Sequence, residues 1–202
     1  MAVLVQVAIG GAAGLLMVAT ATRVRVVQQF DDALEALVGP HRNRWRRLAG
    51  AATLTGERFV HPVIGALTAV VVLAVRGGRP LDIVLPLACA SVGGIVAHHL
   101  VKFIYHRPRP EVALRRNKTE AAFPSGHTTN ATAVVTTSAY LLVRAGLLSV
   151  PVASLAVIVL CLSTGASRVA LGWHWGTDVI GGWFAGAGVA AACCWLYERL
   201  LF

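Results

Sequence analysis

Three clusters of polar residues stand out in the sequence because their residue types could together handle a phosphate group. They are Lys102-x6-Arg109-Pro110, Pro124-Ser125-Gly126-His127 and Ser167-Arg168-x5-His174-x3-Asp178. Arg binds phosphate through a planar pair of donors, and Lys binds it as a point charge. The only acidic residues near the clusters in the loops are Glu111 and Glu120, so three converging cations predict an anionic ligand.

The spacing of His174 and Asp178 predicts a histidine nucleophile. Residues four apart lie on one face of a helix. A carboxylate bonded to one ring nitrogen fixes the tautomer, leaves the other nitrogen free to attack, and stabilises positive charge on the ring. His127 is then the candidate acid, which protonates the leaving oxygen and afterwards deprotonates water.

Ser125 and Gly126 open the segment that carries His127. Backbone N–H groups at a helix start bind anions, Gly allows close approach, and the Ser hydroxyl adds a donor. The three cations of the clusters would stabilise charge on the transferring phosphoryl oxygens. Taken singly, the clusters also suit snorkelling cations, a turn with a helix cap, or a structural hydrogen bond. Their occurrence together, in this order, favours a catalytic site.

The elements that must position these residues are long apolar segments. Hydrophobic residues make up 56% of the 202-residue chain and charged residues 13%, which is about half the share usual for soluble domains. A membrane-spanning helix needs about 20 mainly apolar residues. Six such segments occur, at residues 2–22, 56–75, 81–104, 126–144, 149–167 and 177–199. We therefore expect an all-α protein, a bundle of six transmembrane helices in one domain covering residues 1–202.

Between the first two predicted spans, residues 31–40 have the pattern of a short amphipathic helix, with two Asp residues at its start and Gly-Pro at its end. Arg residues mixed with Trp45 follow, which suits a lipid headgroup layer. The net charge of +9 therefore predicts contact with anionic lipids rather than with nucleic acid, which needs an exposed basic face on a soluble module. With six spans, all three polar clusters lie on one face of the membrane.

The three clusters resemble the three-part signature of the type 2 phosphatidic acid phosphatase (PAP2) superfamily, and each part matches without a substitution. The resemblance spans about residues 56–199. It implies a six-helix membrane phosphatase in which His174 is the nucleophile, Asp178 its orienting partner and His127 the acid and base. It also implies a phosphate site made of five residues: Lys102, Arg109, Ser125, Gly126 and Arg168.

The resemblance further implies chemistry without a metal or another cofactor, which agrees with the lack of paired carboxylate ligands in the sequence. Among candidate substrates in a bacterial plasma membrane, a polyprenyl diphosphate ranks first, and phosphatidic acid and phosphatidylglycerol phosphate follow closely. Hydrolysis through a phosphohistidine is the leading interpretation, and transfer of the phosphoryl group to a lipid alcohol or polyol is the alternative. The superfamily also resembles vanadate-dependent haloperoxidases, which hold vanadate in the phosphate site, but those enzymes are soluble and this chain is not expected to be. Transport is a non-enzymatic alternative, but the cluster residues gather at one membrane face instead of tracing a path across it, so both alternatives are less favoured.

The remaining histidines and the four cysteines have no predicted catalytic part. The cysteines lie in apolar runs and are expected to be small buried residues, and polar lining of the bundle is expected for His41, His61, His98, His99 and His106. The oligomeric state and the side of the membrane on which the three clusters lie stay open. The face with the clusters carries 14 of the 18 Lys and Arg residues, which favours the cytoplasm, whereas many related lipid phosphatases act on the outer face.

Overall fold

The computed structural model describes residues 1–57, 59–116 and 120–201, and these residues form α-helices and short 3₁₀ turns but no β-strand. The all-α prediction is confirmed for this part of the chain. The helices are α1 (Ala2–Ala21), α2 (Arg25–Val38), α3 (Arg42–Ala52), α4 (Val60–Arg76), α5 (Pro80–Ile104), α6 (Glu111–Leu114), α7 (Gly126–Arg144), α8 (Val150–Ala170) and α9 (Gly176–Leu201).

Helices stand at all six segments that were predicted to span the membrane, with ends that shift by a few residues. Four of them, α1, α5, α8 and α9, are long and apolar enough to cross a membrane. α4 is apolar but has only 17 residues, and α7 is rich in threonine. The count of six spans therefore stays a prediction, as does the single domain.

α7 tolerates its polar composition because it is enclosed by protein. It packs against α4, α5, α8 and α9, and 12 of its 19 residues are buried. By contrast, α1, α5 and α8 expose large apolar side chains such as Ile9, Val92 and Leu155. An apolar exterior around a partly polar centre is the arrangement expected when lipid surrounds a bundle.

Glycines on α9 let this helix approach α7 closely. A Cβ atom at Gly182 would lie 2.9 Å from the Cβ of Thr128, and one at Gly186 would lie 2.5 Å from the Cβ of Thr132. Side chains are not accommodated at such separations, so the absence of a Cβ sets the distance between the two helices.

The helix that follows the first span differs from the predicted one. It begins at Arg25 rather than at Asp31, and a 3₁₀ turn at Gly39–His41 leads into a second helix, α3, which carries the Arg-rich segment. The prediction that acidic residues open the amphipathic helix was wrong. Asp31 instead lies within α2, where it is the only buried residue, because its partners lie in distant parts of the chain.

The α7–α9 contact predicts that Gly186→Leu destabilises the protein. The new side chain would meet Thr132 and the backbone of α7, and overpacking of this kind costs about 1–3 kcal/mol. We expect a lower midpoint of thermal unfolding in detergent. The matched control is Gly10→Leu on α1, where a Cβ would meet no atom within 4 Å. Equal midpoints for the two variants would contradict the role given to this contact.

Candidate active site

The three sequence clusters meet around one cavity of about 390 Å³ at the end of the bundle where α5 and α8 end and α7 and α9 begin. Six of the eight predicted site residues line it: Lys102, Arg109, Gly126, His127, Arg168 and His174. Asp178 lies behind His174, and Ser125 lies in the wall between α7 and α9. The structure thus brings the predicted residues together. The catalytic and phosphate-binding roles of these residues stay predictions.

His174 sits in the short turn between α8 and α9. The turn requires Gly172, whose φ of +70° is strained for other residues. The His174 side chain is buried, with its Nδ1 atom 3.4 Å from Asp178 Oδ2 and its Nε2 atom 3.3 Å from Arg109 Nη1. A guanidinium only donates, so this contact favours the tautomer with the lone pair on Nε2 and the proton on Nδ1, which faces Asp178 without a hydrogen-bond partner among the described residues.

The electrostatic surroundings of His174 keep its ring neutral. Burial lowers the pKa of His174 well below its usual range, and the nearby cations Arg109, Arg168 and Lys102 lower it further. A neutral imidazole with its free lone pair on Nε2 is the form that a nucleophile needs.

Arg109 is held in place by backbone carbonyls rather than by a strong ion pair. Its Nε atom donates to Glu120 O at 2.9 Å and its Nη1 atom to Trp173 O at 2.9 Å, whereas the Glu120 carboxylate stands 3.8 Å away and is exposed. The guanidinium charge therefore remains available to an anion in the cavity.

Arg168, near the end of α8, is likewise held by uncharged groups, so its charge is available to an anion. Its Nη1 atom donates to Thr53 Oγ1 at 2.8 Å, and its guanidinium lies 4.1 Å from the Trp173 ring centroid. Among the described residues, its buried Nε atom has no hydrogen-bond partner. A buried donor without a partner is costly, and an anion in the cavity would remove that cost.

His127 has a carboxylate partner that the sequence analysis did not find. Its Nε2 atom lies 2.9 Å from Glu57 Oε1, and Glu57 comes from the turn that precedes α4. Gly56 makes the approach possible, because a Cβ there would lie 2.8 Å from the His127 carbonyl carbon. The two residues are 70 positions apart, so no local spacing could have indicated the pair.

Ser125 does not line the cavity, in contrast to the predicted hydroxyl donor. Its side chain is fully buried and accepts a 3.0 Å hydrogen bond from Thr128 Oγ1, and its N–H donates to Asp178 O at 2.9 Å. The backbone N–H groups of the first turn of α7, which begins at Gly126, are the ones that helix geometry leaves free for an anion.

Two further residues missed by the sequence analysis contact Asp178 and its neighbour. Arg107 donates from Nη1 to Asp178 Oδ1 at 2.7 Å and from Nη2 to Asp31 Oδ2 at 2.7 Å. Asp31 also accepts the N–H of Thr177 at 3.0 Å. Both carboxylates are almost fully buried. The expectation that only Glu111 and Glu120 stand near the clusters was therefore wrong, and Glu111 instead pairs with Arg115 at the surface.

The remaining histidines separate into two groups. His98 and His99 line the cavity from α5, and each Nδ1 atom bonds a backbone carbonyl one turn earlier. His41, His61 and His106 do not line it. The four cysteines are free, and among the described residues no group of three or more His, Cys, Asp or Glu could hold a metal ion.

The family model of the PAP2 superfamily matches residues 83–201, which is more than half of the chain. The chain belongs to the PAP2 superfamily. The matched segment contains all three clusters, most of α5 and the whole of α7, α8 and α9. The resemblance inferred from the motifs is thereby confirmed.

Named PAP2 relatives come from Bacillus subtilis (strain 168). The chain is 30% identical to phosphatidylglycerophosphatase B over 176 residues, covering 85% of both chains. It is 34% identical to undecaprenyl-diphosphatase BcrC over 103 residues, so that match spans about half of each, 48% of this chain and 49% of the relative. A solved transmembrane PAP2-type phosphatidylglycerolphosphate phosphatase from Bacillus subtilis superposes with a TM-score of 0.79 at 26% identity over 96% of both chains. These names confirm the predicted enzyme class, a lipid phosphatase in a membrane.

The position of His174 among cations predicts an unusual titration. In the substrate-free protein we expect its ring to stay neutral where an ordinary histidine, with a pKa of about 6.5, is already protonated, because burial and the surrounding cations lower the His174 pKa. Arg109→Ala removes the nearest cation and should raise the pKa, because a cation disfavours the charged ring. Nitrogen-15 NMR of labelled histidine measures both values.

The control for this titration is Arg79→Ala, which removes an exposed cation at the start of α5, the end of that helix opposite to Lys102. It should leave the His174 pKa unchanged. A ring that titrates near the ordinary value in the unmodified protein, or one that Arg109→Ala does not shift upward, would contradict the electrostatic account.

Proposed function

We propose that the chain hydrolyses a membrane lipid phosphate or diphosphate through a phosphohistidine on His174. The observation that carries the proposal is the His174 Nε2 atom, which faces the Arg109 guanidinium at the wall of a cavity lined by three cations. Asp178 stands on the other side of the ring, with its Oδ2 atom 3.4 Å from Nδ1. That distance is long for a hydrogen bond, as catalytic contacts often are before substrate binds.

In the first step, Nε2 of His174 attacks the terminal phosphorus of the lipid. The N–P bond forms as the P–O bond to the lipid breaks, and the bonding electrons leave with that oxygen. Lys102, Arg109 and Arg168 stabilise the charge on the phosphoryl oxygens. The proton on Nδ1 and the carboxylate of Asp178 stabilise the positive charge that develops on the ring.

His127 supplies the proton that the leaving oxygen takes up. Burial and Arg168 disfavour the charged form of this ring, and the Glu57 carboxylate, 2.9 Å from its Nε2 atom, offsets part of that cost. In the second step the His127 ring takes a proton from water, whose oxygen attacks phosphorus as the N–P bond breaks. Inorganic phosphate leaves, and His174 regains its lone pair.

The lipid class follows from the site and from the names of the relatives. The cavity is small and cationic, which suits a phosphate headgroup, while the exposed apolar helices hold the protein in the bilayer where lipid tails lie. Phosphatidylglycerol phosphate is the first substrate to test, because both matches that cover most of the chain carry that name. A polyprenyl diphosphate and phosphatidic acid follow.

We also propose that α4 and α7 cross the membrane with the four apolar helices, giving six spans in a bacterial plasma membrane. α4 packs against α5 and α7, and α7 lies between α5, α8 and α9. A helix that is surrounded by other spanning helices can be polar, since its side chains meet protein instead of lipid.

His174→Ala is expected to abolish phosphate release, because no phosphohistidine can form. The test uses purified protein in detergent with phosphatidylglycerol phosphate, a polyprenyl diphosphate and phosphatidic acid, each carrying labelled terminal phosphate. A short reaction quenched in base should leave acid-labile label on the unmodified protein and none on the variant. His41→Ala is the matched control, since this histidine lies on the 3₁₀ turn outside the cavity.

Three outcomes of this assay are informative. Release of phosphate from none of the three lipids by the unmodified protein, or undiminished release by His174→Ala, would overturn the proposal. With glycerol or a lipid alcohol added, label appearing in a new phosphate ester would show transfer to an acceptor in place of hydrolysis.

The charge distribution predicts that the active face lies in the cytoplasm. Glu120 is 80% exposed at the cavity, and Arg79 is 78% exposed at the opposite end of α5. In intact cells, a membrane-impermeant thiol reagent should label Arg79→Cys but label Glu120→Cys only after the membrane is opened. The reverse pattern would place the active face outside, and equal labelling of both in intact cells would contradict a bundle that separates these two ends.

A further inference from the structure

Asp178 is held by a chain of buried charges that does not include the phosphate-site cations. One of its oxygens, Oδ2, accepts the Trp175 N–H at 2.9 Å and faces His174. The other, Oδ1, accepts from Arg107 at 2.7 Å. Because both oxygens are bonded, the orientation of this carboxylate relative to the His174 ring depends on where Arg107 stands.

Arg107 does not line the cavity that holds Arg109, although the two are only two residues apart. Its guanidinium bridges Asp178 and Asp31, with 2.7 Å between donor and acceptor on each side. The fork of Arg suits this task, since two carboxylates can be bound by separate nitrogens at a fixed separation.

Asp31 reaches this site from α2, where it is the only buried residue. It holds the first turn of α9 as well as Arg107: its Oδ1 atom accepts the Thr177 N–H at 3.0 Å, and its Oδ2 atom accepts the Thr177 hydroxyl at 2.6 Å. A carboxylate at a helix start is favoured by the free N–H groups there. The helix that follows the first span is thereby joined to the residue next to Asp178.

Stability alone is a weak reason for such an arrangement. A buried ion network contributes little net stability relative to apolar residues of the same volume, because removing charges from water costs about as much as their attraction returns. The network instead fixes one geometry at the residue that must orient the nucleophile, and misplacement by about 1 Å can reduce a rate by about 100-fold.

We propose that Arg107 and Asp31 are positioning residues for the nucleophile: α2, through Asp31, holds Arg107 so that Asp178 is aligned with His174. The inference rests on the proposed hydrolysis through His174. Helix α2 would then contribute to the reaction rate as well as pack beside the bundle.

The test measures kcat and KM of the full-length protein, in detergent, for whichever of the three panel lipids it hydrolyses fastest. Asp31→Asn keeps an acceptor for Thr177 but places an amide where Arg107 donates. We expect kcat to fall by between about tenfold and 100-fold with KM unchanged, because the phosphate-site cations are not touched. Arg107→Lys keeps the charge and loses the fork, so its kcat should lie between those of the unmodified protein and Arg107→Gln.

A double-mutant cycle separates positioning from a general loss of structure. If Asp31 acts through Asp178, adding Asp31→Asn to Asp178→Asn should cause no further fall in kcat. Effects that multiply would overturn the proposal, and so would an unchanged kcat in Asp31→Asn. If Asp31→Asn does not fold, the same cycle with Arg107→Lys decides by the same criterion.

Glu198→Gln is the matched control. It removes a mostly buried carboxylate that pairs with Arg144 at 2.8 Å, near the ends of α7 and α9 remote from the cavity. We expect an unchanged kcat for this variant, and a fall equal to that of Asp31→Asn would overturn the proposal. If His174→Ala retains full activity, the proposed function fails; if His174→Ala is inactive while Asp31→Asn is normal, only the positioning inference fails.

Discussion

The close contact between α7 and α9 is the constraint on which the site depends. Gly182 and Gly186 allow the two helices to approach, and the Ser125 N–H bonds the Asp178 carbonyl where the helices begin. This contact sets the first turns of both helices side by side. His127 lies in α7 and Asp178 in α9, and α8 separates these two helices in the chain. Their positions relative to each other are nevertheless fixed by backbone packing rather than by flexible side chains.

Electrostatics at this end of the bundle follow from that packing. Lys102, Arg109 and Arg168 converge on one cavity, and their mutual repulsion favours an anion among them. Burial and, to a smaller extent, the field of these cations lower the pKa of His174 and keep its ring neutral. One arrangement therefore serves both binding and reactivity: the cations that attract a phosphate also help burial to keep the attacking nitrogen unprotonated.

Much of this architecture could be predicted from the sequence because it depends on local pattern. Long apolar runs located the helices to within a few residues, and the short spacings within the clusters located the cavity residues. The partners of those residues could not be predicted in this way. Glu57 meets His127 across 70 positions, and Asp31 meets Arg107 across 76, and such pairings arise only when the chain is folded. The start of α2 was misjudged for the same reason: Asp31 looked like a helix-opening charge, whereas it binds a distant arginine.

The part of the chain before α4 has a consequence for how PAP2 sequences diverge. Asp31, Thr53 and Glu57 all contact site residues, yet they precede the segment at 83–201 that identifies the family. Two members with identical signatures can thus have different hydrogen-bond partners for the same catalytic groups. Substitutions in this N-terminal third offer a route by which rate and acid–base behaviour change during evolution while the diagnostic motifs stay intact.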